Sequence, residues 1–158
     1  LKERTPAQLA CEVIPFIEKR GYKIPGDEAW LEKMVTTLRE RAKTLVELVD
    51  FAHFYLSDDI TIDPKAAAKF LKSEIAQPLR ELAAGIAALP EECAESAVQA
   101  VFEQLLARFG LKLGQLAQPV RVALTGGTVS PGIYEVIAVL GRSRTVERLN
   151  RALALINT

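Results

Sequence analysis

Helix-start signals recur along this sequence, and they constrain its fold more than any other feature. A capping residue followed by proline occurs at Thr5-Pro6, Asp63-Pro64 and Ser130-Pro131. Ser, Thr and Asp accept hydrogen bonds from the first free amides of a helix, and proline suits the first helical position because it has no amide to leave unpaired. Between these signals, apolar residues recur at helical spacing, as they do over residues 30–38. The sequence therefore predicts an all-α fold.

Helix-breaking residues are most closely spaced in the C-terminal part, where Gly126-Gly127 and Gly141 separate the apolar segments. One short run, Pro119–Leu124, alternates apolar and polar residues, but helix signals flank it on both sides. We therefore predict three short helices, at about residues 119–125, 132–140 and 144–156. Ser130-Pro131 would start the second helix, and Ser143 would cap the third.

A polar break at Ser57-Asp58-Asp59 divides the chain. We expect one helical subdomain over residues 1–60 and a second over residues 61–158, arranged as two stacked bundles. In the second subdomain, Pro90-Glu91-Glu92 would open a helix, because acidic residues in the first turn complement the positive end of the helix dipole.

The composition excludes several classes of protein. Apolar residues make up 49% and charged residues 25% of the chain, which is typical of a globular domain and not of a disordered one. No apolar run approaches the ~18 residues of a membrane span, and no signal-peptide core follows the N-terminus. Cys11 and Cys93 lack metal-ligand spacing and are expected to be buried free thiols. We expect a cytoplasmic protein that has no metal site and no contact with a membrane.

The net charge is zero, but it is distributed unevenly. Residues 1–44 carry nine Lys and Arg against seven Asp and Glu, residues 45–109 carry five against eleven, and residues 110–158 carry six against two. The basic ends fit either an ordinary solvated surface or the attraction of an anionic partner. The acidic middle favours an alternative function, that of a helical protein-interaction or regulatory module without RNA binding.

Signatures of catalysis are absent from the sequence. It contains neither Gly-x-x-x-x-Gly-Lys-Ser/Thr nor Gly-x-Gly-x-x-Gly, the common phosphate cradles. A nucleophile–histidine pair would depend on His53, the one histidine, which lies in an apolar segment where packing is the more common role. We therefore predict no catalytic residues and interpret the chain as a binding module.

Three sequence blocks are more specific than these general features. They read Lys-Leu-Gly-Gln-Leu-Ala-Gln-Pro-Val-Arg-Val-Ala-Leu-Thr-Gly from Lys112, Ser-Pro-Gly-Ile-Tyr-Glu-Val-Ile from Ser130, and Leu-Gly-Arg-Ser-Arg-Thr-Val-Glu-Arg-Leu from Leu140. With residues 38–48 and 51–56 upstream, they resemble the C-terminal anticodon-binding region of bacterial glutamyl-tRNA synthetase, a class I aminoacyl-tRNA ligase. The resemblance covers essentially the whole chain.

The resemblance implies an all-helical cage that recognises the anticodon loop of glutamate tRNA, and it leaves open whether glutamine tRNA is bound as well. It implies no cofactor in this chain, because ATP and Mg would bind the family's catalytic domain. The His-Ile-Gly-His-like and Lys-Met-Ser-Lys-Ser-like signatures of that domain would lie upstream of Leu1 and do not occur here. The chain would thus be a non-catalytic fragment of an ATP-dependent ligase. Its expected partners are tRNA and the enzyme's catalytic domain, and its expected state is a monomer.

The resemblance also implies the site residues. Arg121, Ser130, Pro131 and Ile133 occupy the positions that contact the first two anticodon bases, and Gly132 would let a base or phosphate approach closely. An arginine of the first subdomain would read the third base, with Arg41 as the better match and Arg39 as its competitor. The C-terminal arginines are assigned either to general phosphate attraction or to an ordinary solvated face; they are Arg142, Arg144 and Arg148.

Overall fold

The computed structural model describes residues 3–156, and within that range it contains ten α-helices and no strand. The helices are α1 (Pro6–Lys19), α2 (Glu28–Leu38), α3 (Leu45–Phe51), α4 (His53–Leu56), α5 (Pro64–Phe70), α6 (Ser73–Ala87), α7 (Glu95–Phe109), α8 (Leu113–Thr125), α9 (Ile133–Leu140) and α10 (Arg142–Ile156). The prediction of an all-α fold is confirmed.

The chain forms two compact units, the first ending at Ile60 and the second beginning at Thr61. Helices α1–α4 belong to the first unit and α5–α10 to the second. That each unit is a subdomain for anticodon binding stays a prediction.

In the first unit, local signals explain where the helices begin. The Thr5 hydroxyl accepts a hydrogen bond from the Gln8 amide at 3.1 Å, and the Gln8 side chain accepts one from the Thr5 amide at 2.9 Å. This reciprocal pair is a capping box, which satisfies two amides that the helix leaves free. Asp27 caps α2 in the simpler way, by accepting from the Trp30 amide at 3.0 Å. Buried residues of α1 then pack against α2 and α3 to form the core; they include Leu9, Val13 and Ile17.

In the second unit, α6 packs along α10, and α8 packs against α5, α6 and α10. The α7–α9 contact includes an edge-to-face pair between Phe102 and Tyr134, whose ring centroids are 5.2 Å apart. Helix α8 begins at Leu113, six residues before the predicted start at Pro119. Proline has no amide hydrogen, so it is best tolerated in the first turn of a helix, and for this reason the sequence predicts a helix start at Pro119. The Lys112 amide instead donates to the Gln115 side chain at 2.8 Å, which stabilises an earlier first turn.

The segment after Pro90 departs from the prediction. It does not open a helix, because α7 begins only at Glu95. Glu91 instead lies at the start of α10, where its carboxylate accepts hydrogen bonds from the Ser143 amide, at 3.1 Å, and from the Ser143 hydroxyl. Its backbone carbonyl accepts from the Arg142 amide at 3.0 Å. The prediction of Ser143 as the cap of α10 is therefore wrong, since that helix begins at Arg142 and is capped by an acidic residue from a distant part of the chain.

The two cysteines also differ from the prediction that both are buried. Cys93 is 2% exposed and forms no disulfide, as predicted, whereas Cys11 lies on the exposed side of α1. Helix α1 buries Leu9, Ala10, Val13 and Ile17, and Cys11 lies outside this buried face, so the thiol faces outward.

The Glu91 contact predicts an acid-sensitive contribution to stability. Hydrogen bonding from the Ser143 hydroxyl is the main cause that lowers the pKa of the Glu91 carboxyl below its ordinary value. A carboxyl with a lowered folded-state pKa stabilises the fold above its unfolded pKa of about 4.3, and this contribution is lost as the pH falls through the folded pKa. We expect the unfolding free energy of the Glu91→Gln variant to fall less steeply below about pH 5 than that of the wild type. Urea titrations followed by circular dichroism between about pH 3 and 7 measure both slopes.

The matched control for this prediction is Glu92→Gln, at the exposed neighbouring position. It should keep the wild-type pH dependence. Parallel curves for the wild type and Glu91→Gln would show that the carboxylate of Glu91 does not contribute in this way.

Candidate functional site

Arg121 lies in the second half of α8, where most residues are buried. Its neighbours Val120, Val122, Ala123 and Leu124 are all buried, whereas Arg121 itself is half-buried. The Arg121 Nε atom donates a hydrogen bond to the Ser130 hydroxyl at 2.7 Å, and Nη1 donates to the side-chain oxygen of Gln118. The guanidinium therefore projects from a rigid helix and has a defined orientation.

The loop after α8 is fixed where it leaves the helix. Gly126 has a φ of +86°, a left-handed conformation that favours glycine. Its carbonyl accepts a hydrogen bond from the Asp63 amide at 2.8 Å. The Thr125 hydroxyl donates to the Arg121 carbonyl at 2.8 Å and accepts from the Gly127 amide at 3.3 Å. Further along the loop, Val129 is 79% exposed.

The segment from Ser130 to Ile133 differs from the predicted helix start. Ser130 does not cap α9, because Gly132 holds the capping position and the helix begins at Ile133. The Ser130 hydroxyl is used otherwise, since it accepts from Arg121 and donates to the Pro131 carbonyl at 2.7 Å. Pro131 and Ile133 are buried, and Gly132 between them is exposed.

The start of α9 already carries negative charge. Glu135 lies in the first turn, and a Cβ added to Gly132 would be 3.3 Å from the Glu135 Oε1 atom. A carboxylate in this position compensates the positive end of the helix dipole. An incoming phosphate would be repelled by it, so the exposed surface at Gly132 suits a neutral group better than an anion.

The arginines of α10 are largely used within the fold. Arg148 is 3% exposed, and its Nη1 atom donates to the Leu124 carbonyl at 2.6 Å. Arg142 is half-buried and donates to the Leu89 carbonyl at 3.0 Å. The prediction of Arg148 as an exposed cation for phosphates is wrong, because its helical spacing places it on the face that packs against α8. Arg144 is half-buried.

In the first unit, the two competing arginines lie just after α2. Arg41 is exposed. Arg39 is half-buried, and its guanidinium donates a hydrogen bond to the Arg4 carbonyl. The geometry therefore favours Arg41 as the arginine that can reach a ligand.

Gln118 is the residue of this site that sequence reasoning missed. It lies within the most specific sequence block, three positions before Arg121. Residues three apart on a helix share a face, so this spacing was a usable signal.

Among residues 3–156, the structure contains no group of three His, Cys, Asp or Glu side chains placed to hold a metal ion. His53 is exposed, and its Nδ1 atom is hydrogen-bonded to the Tyr22 hydroxyl at 2.7 Å. No helix in the described range is both long and apolar enough to cross a membrane.

The fold and this arrangement define a small helical binding module, and a family model identifies which one. The model, described as an anticodon binding domain, matches residues 8–153. The chain therefore belongs to the anticodon-binding domain family.

Full-length relatives narrow the identification to one kind of enzyme. The chain is 45% identical over 157 residues to a glutamate–tRNA ligase of Syntrophobacter fumaroxidans, covering 99% of this chain and 33% of that ligase. It is 43% identical over 157 residues to the glutamate–tRNA ligase of Geobacter sulfurreducens, covering 98% of this chain and 33% of the ligase. The resemblance to glutamyl-tRNA synthetases is confirmed, and the chain spans about a third of the length of these curated relatives.

A solved structure shows the same fold. The glutamate tRNA ligase of Elizabethkingia meningosepticum matches 98% of this chain and 30% of its own, with a TM-score of 0.89 at 19% sequence identity. At this identity the match supports the fold alone.

Proposed function

We propose that this chain is the anticodon-binding part of a glutamate–tRNA ligase and that it recognises the anticodon loop of glutamate tRNA. The family match over residues 8–153 carries this proposal. The oriented guanidinium of Arg121 supports it, because proteins read RNA sequence mainly on bases splayed out of single-stranded loops.

Arg121 and the segment from Ser130 to Ile133 would form the surface for the first two anticodon bases. A guanidinium is a planar donor that matches the acceptors on a base edge. Exposed Gly132 has no side chain, so a base can approach the backbone there. Pro131 and Ile133 are buried on either side of Gly132 and would hold its backbone in place. The carboxylate of Glu135 would favour an uncharged base over a phosphate at this surface.

Arg41 would read the third anticodon base. Its guanidinium is exposed, whereas that of its competitor Arg39 is bonded to the backbone at Arg4. Arg142 and Arg144 would add only weak, general attraction to phosphates.

The remaining steps of the reaction would belong to other parts of the enzyme. ATP and Mg would bind its catalytic domain, with which this chain would act in the cytoplasm as part of a monomer. This chain alone would bind tRNA and would not aminoacylate it.

Substitution of Arg121 tests the proposed function. We expect the chain to bind a fluorescent anticodon stem-loop of glutamate tRNA weakly and with a steep salt dependence. Arg121→Ala should weaken binding by about 30-fold, because a good side-chain contact to a base edge contributes about 1–3 kcal/mol. Fluorescence anisotropy titrations at two salt concentrations measure both effects.

The matched control is Arg80→Ala, which removes an exposed arginine from α6 of the same unit. It should leave the affinity within about twofold of the wild type, since Arg80 is an exposed surface charge and such charges contribute little. Equal losses for the two variants would contradict a specific role of Arg121. If the wild type binds no tRNA in a salt-sensitive way, the alternative of a protein-interaction module, suggested by the acidic residues 45–109, takes its place.

A further inference from the structure

We propose that Gln118 and Ser130 are positioning residues, which hold the guanidinium of Arg121 in the orientation that meets an anticodon base. This inference rests on the proposed function and adds to it. It assigns a role to Gln118, and it changes the role of Ser130 from a contact with RNA to a contact that acts through Arg121.

The two hydrogen bonds restrain Arg121 from two separate elements. Gln118 lies on α8 itself, one turn before Arg121, and its side-chain oxygen accepts from Nη1. Ser130 lies in the loop after α8, and its hydroxyl accepts from Nε at 2.7 Å. Because different nitrogens make the two bonds, they restrain both the position and the rotation of the guanidinium plane.

The chemistry of the Ser130 hydroxyl excludes it as a donor to RNA. A serine hydroxyl has one hydrogen to donate, and Ser130 donates it to the Pro131 carbonyl at 2.7 Å. The Ser130 residue is also only 9% exposed. Its oxygen is therefore turned towards Arg121 as an acceptor, and threonine could replace it while alanine could not.

Such restraint has a consequence for binding. An unrestrained arginine side chain loses much rotamer freedom when it contacts a ligand, which weakens binding. When Gln118 and Ser130 hold the side chain beforehand, that loss has already occurred on folding, and RNA binding is correspondingly stronger. Removal of either acceptor should therefore weaken binding only as long as Arg121 is present.

A double-mutant cycle on the full chain tests this dependence. Gln118→Leu and Ser130→Ala should each weaken binding of the labelled stem-loop by about fivefold, while Ser130→Thr should stay within about twofold of the wild type. In the Arg121→Ala background, the first two substitutions should change the affinity by less than about 1.5-fold. The salt dependence should stay unchanged in the single variants, because no phosphate contact is lost.

The protein contains a matched control for Gln118. On α6, the Gln77 side-chain oxygen accepts from Arg80 Nη1 at 2.7 Å, which is the same pair of residues at the same spacing. Gln77→Leu should leave the affinity for the stem-loop unchanged. Full additivity of Gln118→Leu or Ser130→Ala with Arg121→Ala would show that these side chains contact the RNA directly, and would overturn the proposal.

A measurement without RNA separates this proposal from the proposed function. In the free protein, hydrogen exchange of the Arg121 Nε–H group, followed by NMR, should be slowed by the bond to Ser130. It should become at least about fivefold faster in Ser130→Ala and be restored in Ser130→Thr. Equal exchange rates in all three proteins would overturn the positioning role, whereas failure of the wild type to bind the stem-loop would overturn the proposed function alone.

Discussion

Replacing Arg148 with Ala should lower the free energy of unfolding by about 3 kcal/mol, because the change leaves a buried carbonyl without its partner and removes packed methylene groups. The carbonyl belongs to Leu124, in the last turn of α8, where carbonyl groups receive no hydrogen bond from an amide of the same helix. The guanidinium supplies the missing donor and places positive charge at the negative end of the α8 dipole. Arg148 thus joins α10 to the end of the helix that carries Arg121.

Arg151→Ala is the control, since it makes the same change on the exposed side of the same helix. Arg151 is paired with Glu147 at the surface, and such a pair contributes about 0.5 kcal/mol. Urea unfolding followed by circular dichroism compares the two variants. Arg148→Met should fall between them, because it keeps most of the packed stem but leaves the Leu124 carbonyl unbonded. Equal stability of the two alanine variants would contradict a structural role for Arg148.

Some helix boundaries could be predicted because their signals are local. The capping box of Thr5 and Gln8 lies within four residues of sequence, and Gly110 ends α7 in a left-handed conformation with a φ of +64°. Side chains that bond to amides two or three positions away leave a pattern that a sequence displays directly. The all-α prediction follows from such patterns.

The errors arise where a distant residue replaces a local one. Serine is a common helix-capping residue, which suggested Ser143 as the cap of α10, but Glu91, which is 52 positions away, takes this role. The spacing of Arg148 suggested a cation on the surface, but its side chain is buried and donates a hydrogen bond to the Leu124 carbonyl at the end of α8. Neither partner can be inferred from one sequence, because both depend on which helices pack together.

The candidate site shows the same division. Arg121 and Ser130 lie in the most specific blocks of the sequence, and the structure joins them by a hydrogen bond of 2.7 Å, whereas their role in binding stays a prediction. The direction of the Ser130 hydroxyl was not predictable. The sequence suggested a helix cap, whereas the tertiary fold offers Arg121 as a stronger, charged partner.

Substitution of Gly126 by Ala should destabilise the chain by about 3 kcal/mol or more, because two separate costs add at this position. The φ of +86° is strained for any residue with a Cβ. The added Cβ would also lie 2.2 Å from the Thr61 carbonyl oxygen, a backbone atom that can move away only if the local chain shifts. The same shift would disturb the hydrogen bond from the Asp63 amide to the Gly126 carbonyl.

Gly110→Ala separates the two costs, since Gly110 has a φ of +64° but no atom within 4 Å of an added Cβ. It should lose only the conformational part, about 1 kcal/mol, in the same urea titration. At temperatures where both variants remain folded, Gly126→Ala should also weaken stem-loop binding. The loop that begins at Gly126 positions Ser130 for its hydrogen bond with Arg121, and a shift of the loop would disturb that bond. Wild-type affinity in a folded Gly126→Ala variant would show that the position of this loop does not control the site.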